Sequence, residues 1–267
     1  RRVRAGLTPP APTLDAVRTG GKAGVARAFA ALEAAPYDEA TLALLDAART
    51  GARGAVVGLT GPPGVGKSTL AAALIEAARR CHRTVGVIVI DPSSRRTGGA
   101  ILGDRTQLQL DPEDAGIFVR SMAARSRMGG VADLCPAGTC LLRALFDLVL
   151  IETVGVGQSD TDIGDLVDTV VLAIQPGSGD SLQYLKSGIA EIPDIAVVTK
   201  ADLGAIAERA VLEAGAALRL GGRLEAPVHL LAAAPGRASW DFWTRSTSMG
   251  AGSPRAASSP GAGSGRG

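Results

Sequence analysis

The sequence predicts an α/β fold, a doubly wound and mostly parallel sheet preceded by a short helical extension. Three observations carry that expectation. Apolar residues run almost continuously through residues 55–59, 84–90, 147–151, 168–174 and 194–198. Strands apolar at successive positions are buried on both faces, as in parallel sheets. Most of these runs are flanked by stretches with helical spacing, the alternation that winds such a sheet. A Gly-rich turn also separates the first run from a helix-like stretch at 70–79, and ligands of open α/β sheets lie beyond such strand ends.

Composition narrows the class further. A chain of 267 residues, 46% hydrophobic and 20% charged, buries a sizeable core. Its net charge of +2 supplies no field that would steer it to nucleic acid or to an anionic membrane. The apolar runs fall far short of the ~20 residues that a membrane span needs. Three cysteines without regular spacing exclude a disulfide framework and point to a reducing compartment, read as a bacterial cytoplasm rather than a mitochondrial matrix.

In chain order, residues 1–13 are Pro-rich and read as flexible. Over 14–50, Val17, Val25, Phe29, Leu32, Leu42 and Leu45 recur at helical spacing with a break near Pro36. Residues 51–237 hold the predicted sheet, with a further strand at 227–231. Residues 238–267 read as a disordered or aberrant tail: from Ser246 onward 18 of 22 residues are Gly, Ser, Pro or Ala and none is acidic. No internal repeat is visible.

The strongest motif is Gly61-Pro62-Pro63-Gly64-Val65-Gly66-Lys67-Ser68-Thr69. Glycines at these spacings let successive backbone N–H groups face one concavity at a helix N-terminus, a nest for phosphate oxygens. Lys67 then reaches the β- and γ-phosphates and the Ser68 hydroxyl ligates Mg²⁺. The plain alternative, a Gly-rich turn capping an ordinary helix, does not account for the strand that precedes it. The fold expected for residues 51–237 is therefore that of a P-loop NTPase.

Acidic residues follow two later strands. Asp91 ends the run at 84–90 and Glu152 the run at 147–151. Either suits Mg²⁺ held by Ser68; acids at strand ends also serve as helix caps. Glu152-Thr153-Val154-Gly155 has the form of a Walker B segment with Glu for Asp, and the Gly155 amide is placed to touch a γ-phosphate. The polar, Gly-rich stretch from Asp91 to Asp104 has the character of a switch loop.

Thr199-Lys200-Ala201-Asp202 follows the last strong strand. Asp202 can accept from guanine N1–H and N2, donors that adenine lacks, while the Lys200 stem covers the ring. Two of only four lysines thus fall in nucleotide motifs. Cys81, Cys135 and Cys140, with His82 and His229, show no metal-ligand spacing and read as packing or capping residues. Arg120, Arg125 and Arg127 suit either a phosphate or partner contact or a solvated basic face, and Gln158 either a water-orienting or a capping role.

Taken together, the phosphate loop, DPSS…TGGAILGD at 91–104, IETVGVGQS at 151–159, GD-x-LQ-x2-K at 179–186 and TKAD at 199–202 resemble the MeaB/ArgK-type GTPases. These are the methylmalonyl-CoA mutase-associated GTPases, also known as LAO/AO transport system ATPases. The resemblance covers about residues 25–231 and implies GTP/GDP and Mg²⁺ as ligands. It implies that Lys67 serves the phosphates, and that Ser68, Asp91, Asp104 and Glu152 form the metal and switch site. Thr199, Lys200 and Asp202 would read guanine. It further implies a chaperone for an adenosylcobalamin-dependent acyl-CoA mutase, using GTP to gate cofactor loading and protect the mutase, and a homodimer.

Three departures accompany the resemblance. Thr199 stands where the family usually has Asn, which predicts weaker base affinity. Leu231-Ala232-Ala233-Ala234 replaces a Ser-Ala pair of the base pocket. After about Arg237 the family continues into dimerising helices, whereas Trp240-Asp241-Phe242-Trp243 and the small-residue tail read as truncated or frame-shifted. Two other readings stay open on sequence: a P-loop kinase or small-molecule-transport ATPase, and a GTP-binding scaffold without turnover.

Overall fold

A computed structural model describes residues 10–92, 110–124, 134–153, 162–178 and 189–231, with backbone alone at 91–92 and 123–124. Three helices open the chain: α1 (Leu14–Thr19), α2 (Gly21–Ala34) and α3 (Glu39–Gly51). The break at Pro36 is as the sequence predicts, and α3 starts where the Asp38 carboxylate accepts from Ala40 N. A second break falls at Gly20, where α1 turns into α2. There Gly24 lies so close to α1 that a Cβ would sit 2.5 Å from the Val17 carbonyl oxygen.

The strands are β1 (Ala55–Thr60), β2 (Val85–Pro92), β3 (Ile117–Ala124), β4 (Leu148–Glu152), β5 (Thr169–Ile174), β6 (Ile195–Val198) and β7 (Val228–Leu230). The α-helices among them, within the described residues, are α4 (Lys67–Arg80), α5 (Cys135–Leu145) and α6 (Ala205–Leu220). The sheet order is β3-β2-β4-β1-β5-β6-β7, and every described pairing is parallel. Strand β1 therefore lies between β4 and β5. The chain builds β2 and β3 on one side of β1 and β5 to β7 on the other, so the crevice beyond β1 is the switch point of the fold.

Both faces are covered. Val56, Ile88, Ile90, Val149 and Ile151 pack with α1 to α3 and α5. Val57, Leu59, Val87, Val89 and Leu150 pack on the opposite side against Leu70, Leu74 and Ile75 of α4. Leu172, Ile174, Ala196 and Val198 pack against the Ala207, Ala210, Ala214 and Leu218 stripe of α6. No helix among the described residues is long and apolar enough to cross a membrane.

Several boundaries shift from the sequence reading by a residue or more, and two of these shifts bear on the site. Helix α4 begins at Lys67 rather than residue 70, because the phosphate loop itself supplies its first turn. Strand β4 includes Glu152 rather than ending before it. Strand β3 was not expected. Its Arg120 and Ser121 interrupt the apolar run, a pattern an edge strand tolerates because it has one strand neighbour instead of two.

The helical extension is fastened to that edge strand through aromatic rings. Phe29 of α2 is fully buried and stacks on Phe118 of β3 at 5.7 Å, and Phe118 stacks in turn on Phe146 at 6.3 Å. The Arg120 guanidinium lies 5.6 Å from the Phe29 ring centre and pairs with Glu33. Phe29→Ala is expected to cost about 3–5 kcal/mol through lost burial and a residual cavity, read as a lowered denaturant midpoint with unchanged slope. An unshifted midpoint would show that the extension is not part of the core.

Candidate nucleotide site

The site is built on the turn from β1 to α4. Gly61, Gly64 and Gly66 have φ of +139°, +73° and +99°, backbone that side-chain-bearing residues rarely adopt. Gly61 is doubly required, since a Cβ there would lie 2.4 Å from the Ala173 carbonyl oxygen of β5. Between the glycines, Val65 is buried and anchors the loop to the core, while Gly64 and Pro63 are exposed at its rim.

Lys67, the first residue of α4, is only 6% exposed. Its Nζ donates to the carbonyls of Gly61 at 2.7 Å and Pro62 at 2.9 Å. The ammonium is thus held inside the loop by the loop's own backbone, ready to exchange carbonyl oxygens for phosphate oxygens. Next along the helix, Ser68 Oγ donates to Glu152 Oε1 at 2.7 Å, 84 residues away in sequence. Thr69 is exposed in the same turn.

Glu152 reaches Ser68 because β4 lies beside β1 with Glu152 opposite Leu59, near the start of the loop. The next residue locks that register. Thr153 N donates to the Leu59 carbonyl at 3.0 Å, and its buried hydroxyl lies 3.3 Å from the same oxygen and 3.4 Å from Thr60 Oγ1. Sequence reasoning quoted Thr153 without giving it a role. Its signal was available, a hydroxyl directly after a strand of five buried residues, where an apolar side chain would be the default.

The base motif sits at the end of β6, on the far side of β5. Thr199 N donates to the Ile174 carbonyl at 2.9 Å, and Thr199 Oγ1 lies 2.8 Å from the Val65 carbonyl of the phosphate loop. Lys200 is half-buried and left-handed, with φ +55°. That conformation turns the chain into the short 3₁₀ turn Ala201–Leu203, where Asp202 is exposed. The turn is tied to the residue just after the last strand by Ala201 N donating to the Leu231 carbonyl at 3.2 Å.

The structure thus gathers Gly61, Gly64, Val65, Gly66, Lys67, Ser68 and Glu152 at one crevice and joins Thr199 to it. Asp91 lies in β2, and strand β2 pairs with β4 so that Val89 is opposite Glu152, but the Asp91 side chain is outside the described residues. Asp104, Gly155, Gln158, Arg125 and Arg127 also lie outside the described residues. Arg120 pairs with Glu33 and lies over the Phe29 ring.

The donor set fits Mg²⁺ rather than a soft metal. A hydroxyl and a carboxylate within hydrogen-bond reach are hard oxygen ligands, and Mg²⁺ is commonly held by one or two such groups together with substrate phosphates. No group of three or more His, Cys, Asp or Glu able to hold a metal occurs among the described residues, which leave out the Asp91 side chain and Asp104. The cysteines play no part here. Burial raises the Cys135 thiol to about 11, so it stays protonated at neutral pH and packs.

A parallel doubly wound sheet with this loop at its switch point defines a P-loop NTPase fold. The same fold occurs in a crystal structure of an LAO/AO transport system kinase, at TM-score 0.66 and 24% identity over 88% of this chain and 73% of that one. Residues 25–249 match the family model described as methylmalonyl Co-A mutase-associated GTPase MeaB, and the chain belongs to that family. It is 40% identical over 239 residues to a Mycobacterium tuberculosis protein described as a probable GTPase, covering 85% of this chain and 71% of that one. Over 148 residues, 55% of this chain, it is 51% identical to a Pyrococcus horikoshii relative. The match takes in 47% of that relative, so the chain spans about half the length of the archaeal protein. The family match runs to residue 249, past the position near 231 where the motif resemblance stops.

Proposed function

We propose that this chain is a Mg²⁺-dependent GTPase that acts on an adenosylcobalamin-dependent acyl-CoA mutase, coupling GTP binding and hydrolysis to cofactor loading and protection. The observation that carries the enzymatic part is the 2.7 Å contact between Ser68 Oγ and Glu152 Oε1 beside the phosphate loop. The family's description, which names methylmalonyl Co-A mutase, supports the partner.

In this reading the amides of residues 64–69 and the Lys67 ammonium bind the β- and γ-phosphates. Ser68 and Glu152, with Asp91 and Asp104 as further acids, hold Mg²⁺, which when bound offsets phosphate charge. Water attacks the γ-phosphorus, the bond to the β,γ-bridging oxygen breaks, and GDP and phosphate leave. Catalysis is positioning and electrostatic stabilisation, with little covalent work for the protein. Asp202 accepts from guanine N1–H and N2, and the Lys200 stem covers the ring. Intrinsic turnover is slow and rises with the partner.

Phosphate release from GTP, titrated with Mg²⁺, tests this on wild type and Glu152→Gln. The amide keeps the shape but loses the charge. The variant is expected to need roughly 10- to 100-fold more Mg²⁺ for half-maximal rate. An unchanged Mg²⁺ dependence would remove Glu152 from the metal site and with it the observation on which the reading stands.

A further inference from the structure

Strand β6 is buried on both faces, and its two covers differ. Ala196 and Val198 pack against the Ala207, Ala210, Ala214 and Leu218 stripe of α6. Side chains alternate along a strand, so Ile195 and Val197 belong to the opposite face, the one that carries α4. They are 5% and 0% exposed there, and Val171 beside them on β5 is 2% exposed. Yet α4 packs against β1, β2 and β4, and β6 lies two strands beyond β1.

Handedness narrows what covers this half of the face. Connections between parallel strands of one sheet are right-handed in about 98% of cases, so the direction of travel fixes the face on which a connection lies. Those from β1 to β2 and from β2 to β3 run toward the β3 edge, and the first carries α4. All four later ones run toward the β7 edge and so belong to the other face. That is where α5, Ile163, Ala190 and α6 are found. Residues 1–9 lead into α1, whose Leu14 and Val17 lie on that other face too. What remains of the chain to cover Val197 is the part that follows β7.

That part starts in the right place. Leu231 N donates to the Val198 carbonyl at 2.8 Å, and the Leu231 side chain is buried on the α4 face. Trp240 follows it by nine residues, with Phe242 and Trp243 just beyond. Nine residues reach well past the about 10 Å that separates β7 from β5. Each aromatic side chain brings about 150–250 Å² of surface to bury. We propose that residues 238–245 close the α4-side face of β5 and β6, with Trp240, Phe242 and Trp243 supplying the apolar surface over Val171, Ile195 and Val197. The proposal replaces the expectation of a disordered or aberrant tail for this stretch. The family match, which runs to residue 249, takes it in.

The chain's two tryptophans are Trp240 and Trp243, so indole emission reports on this segment alone. In the full chain, emission is expected to be blue-shifted and several-fold less quenched by acrylamide than in urea. It should shift in the same unfolding transition as the far-ultraviolet circular dichroism. Contact quenching then identifies the face, since a thiol quenches indole only at close range. Val197→Cys, which nearly conserves volume, is expected to dim the native emission several-fold. Val198→Cys, one residue on and on the α6 face, should leave it at the wild-type level. Should Val197→Cys not fold, Val171→Cys on β5 takes its place, with the same loss expected. Native tryptophans quenched as fully as in urea overturn the proposal, and so does a cysteine on the α4 face that dims emission no more than Val198→Cys. Shielding that appears only as protein concentration rises puts a second copy on this face and overturns it as well.

Discussion

Lys67→Ala is expected to lower GTP turnover by about 10²- to 10³-fold, the scale set by deleting one preorganised electrostatic donor from an active site. The ammonium is only 6% exposed and already held between two loop carbonyls. It therefore needs little rearrangement to meet a phosphate, and that preorganisation is what alanine loses. Single-turnover phosphate release separates the loss in chemistry from the loss in binding. The cooperative unfolding transition should persist, since strand β1 and the apolar face of α4 do not depend on Nζ. Turnover within a few fold of wild type would contradict the assignment of this loop as the phosphate site.

Gly61→Ala is the second large effect, and it acts on structure. A methyl group at residue 61 would lie 2.4 Å from the Ala173 carbonyl oxygen, and backbone cannot move aside as a flexible side chain can. The residue also sits at φ +139°, where a Cβ is strained regardless of space. Strain and overpacking together are expected to destabilise the fold by about 2–5 kcal/mol, seen as a lowered denaturant midpoint. Nucleotide affinity should fall with it, because relief of the clash pushes β1's end away from β5. A neutral substitution would mean that the turn adopts another path.

These two positions show what the sequence makes legible. The loop was readable because phosphate binding constrains residue type at close spacing: glycines at φ-positive sites, then Lys67 and Ser68 at the helix start. Glu152 was readable because strand ends in a parallel sheet all point to one crevice. The Thr199–Val65 contact was not. It joins residues 134 apart, and nothing in either local segment announces the other. Strand β3 was hidden for a related reason. An edge strand is buried by one strand neighbour and by a helix from elsewhere, here Phe29 of α2, so its pattern is set by distant packing rather than by its own periodicity. The same holds for Arg120, whose partners Glu33 and Phe29 lie on a helix some ninety residues earlier, at a separation of 87 for Glu33.

In the proposed function this loop, its strand-end carboxylate and the Asp202 turn together form a Mg²⁺-dependent, guanine-selective hydrolytic site. Phosphate release from GTP and from ATP, with and without Mg²⁺, tests it most directly, with an adenosylcobalamin-dependent acyl-CoA mutase added in a second arm. Slow release from GTP that requires Mg²⁺, little from ATP, and a higher rate when the mutase is present are expected. Equal release from both nucleotides would contradict base selection by Asp202, and GTP binding without release in either arm would contradict the hydrolytic reading itself.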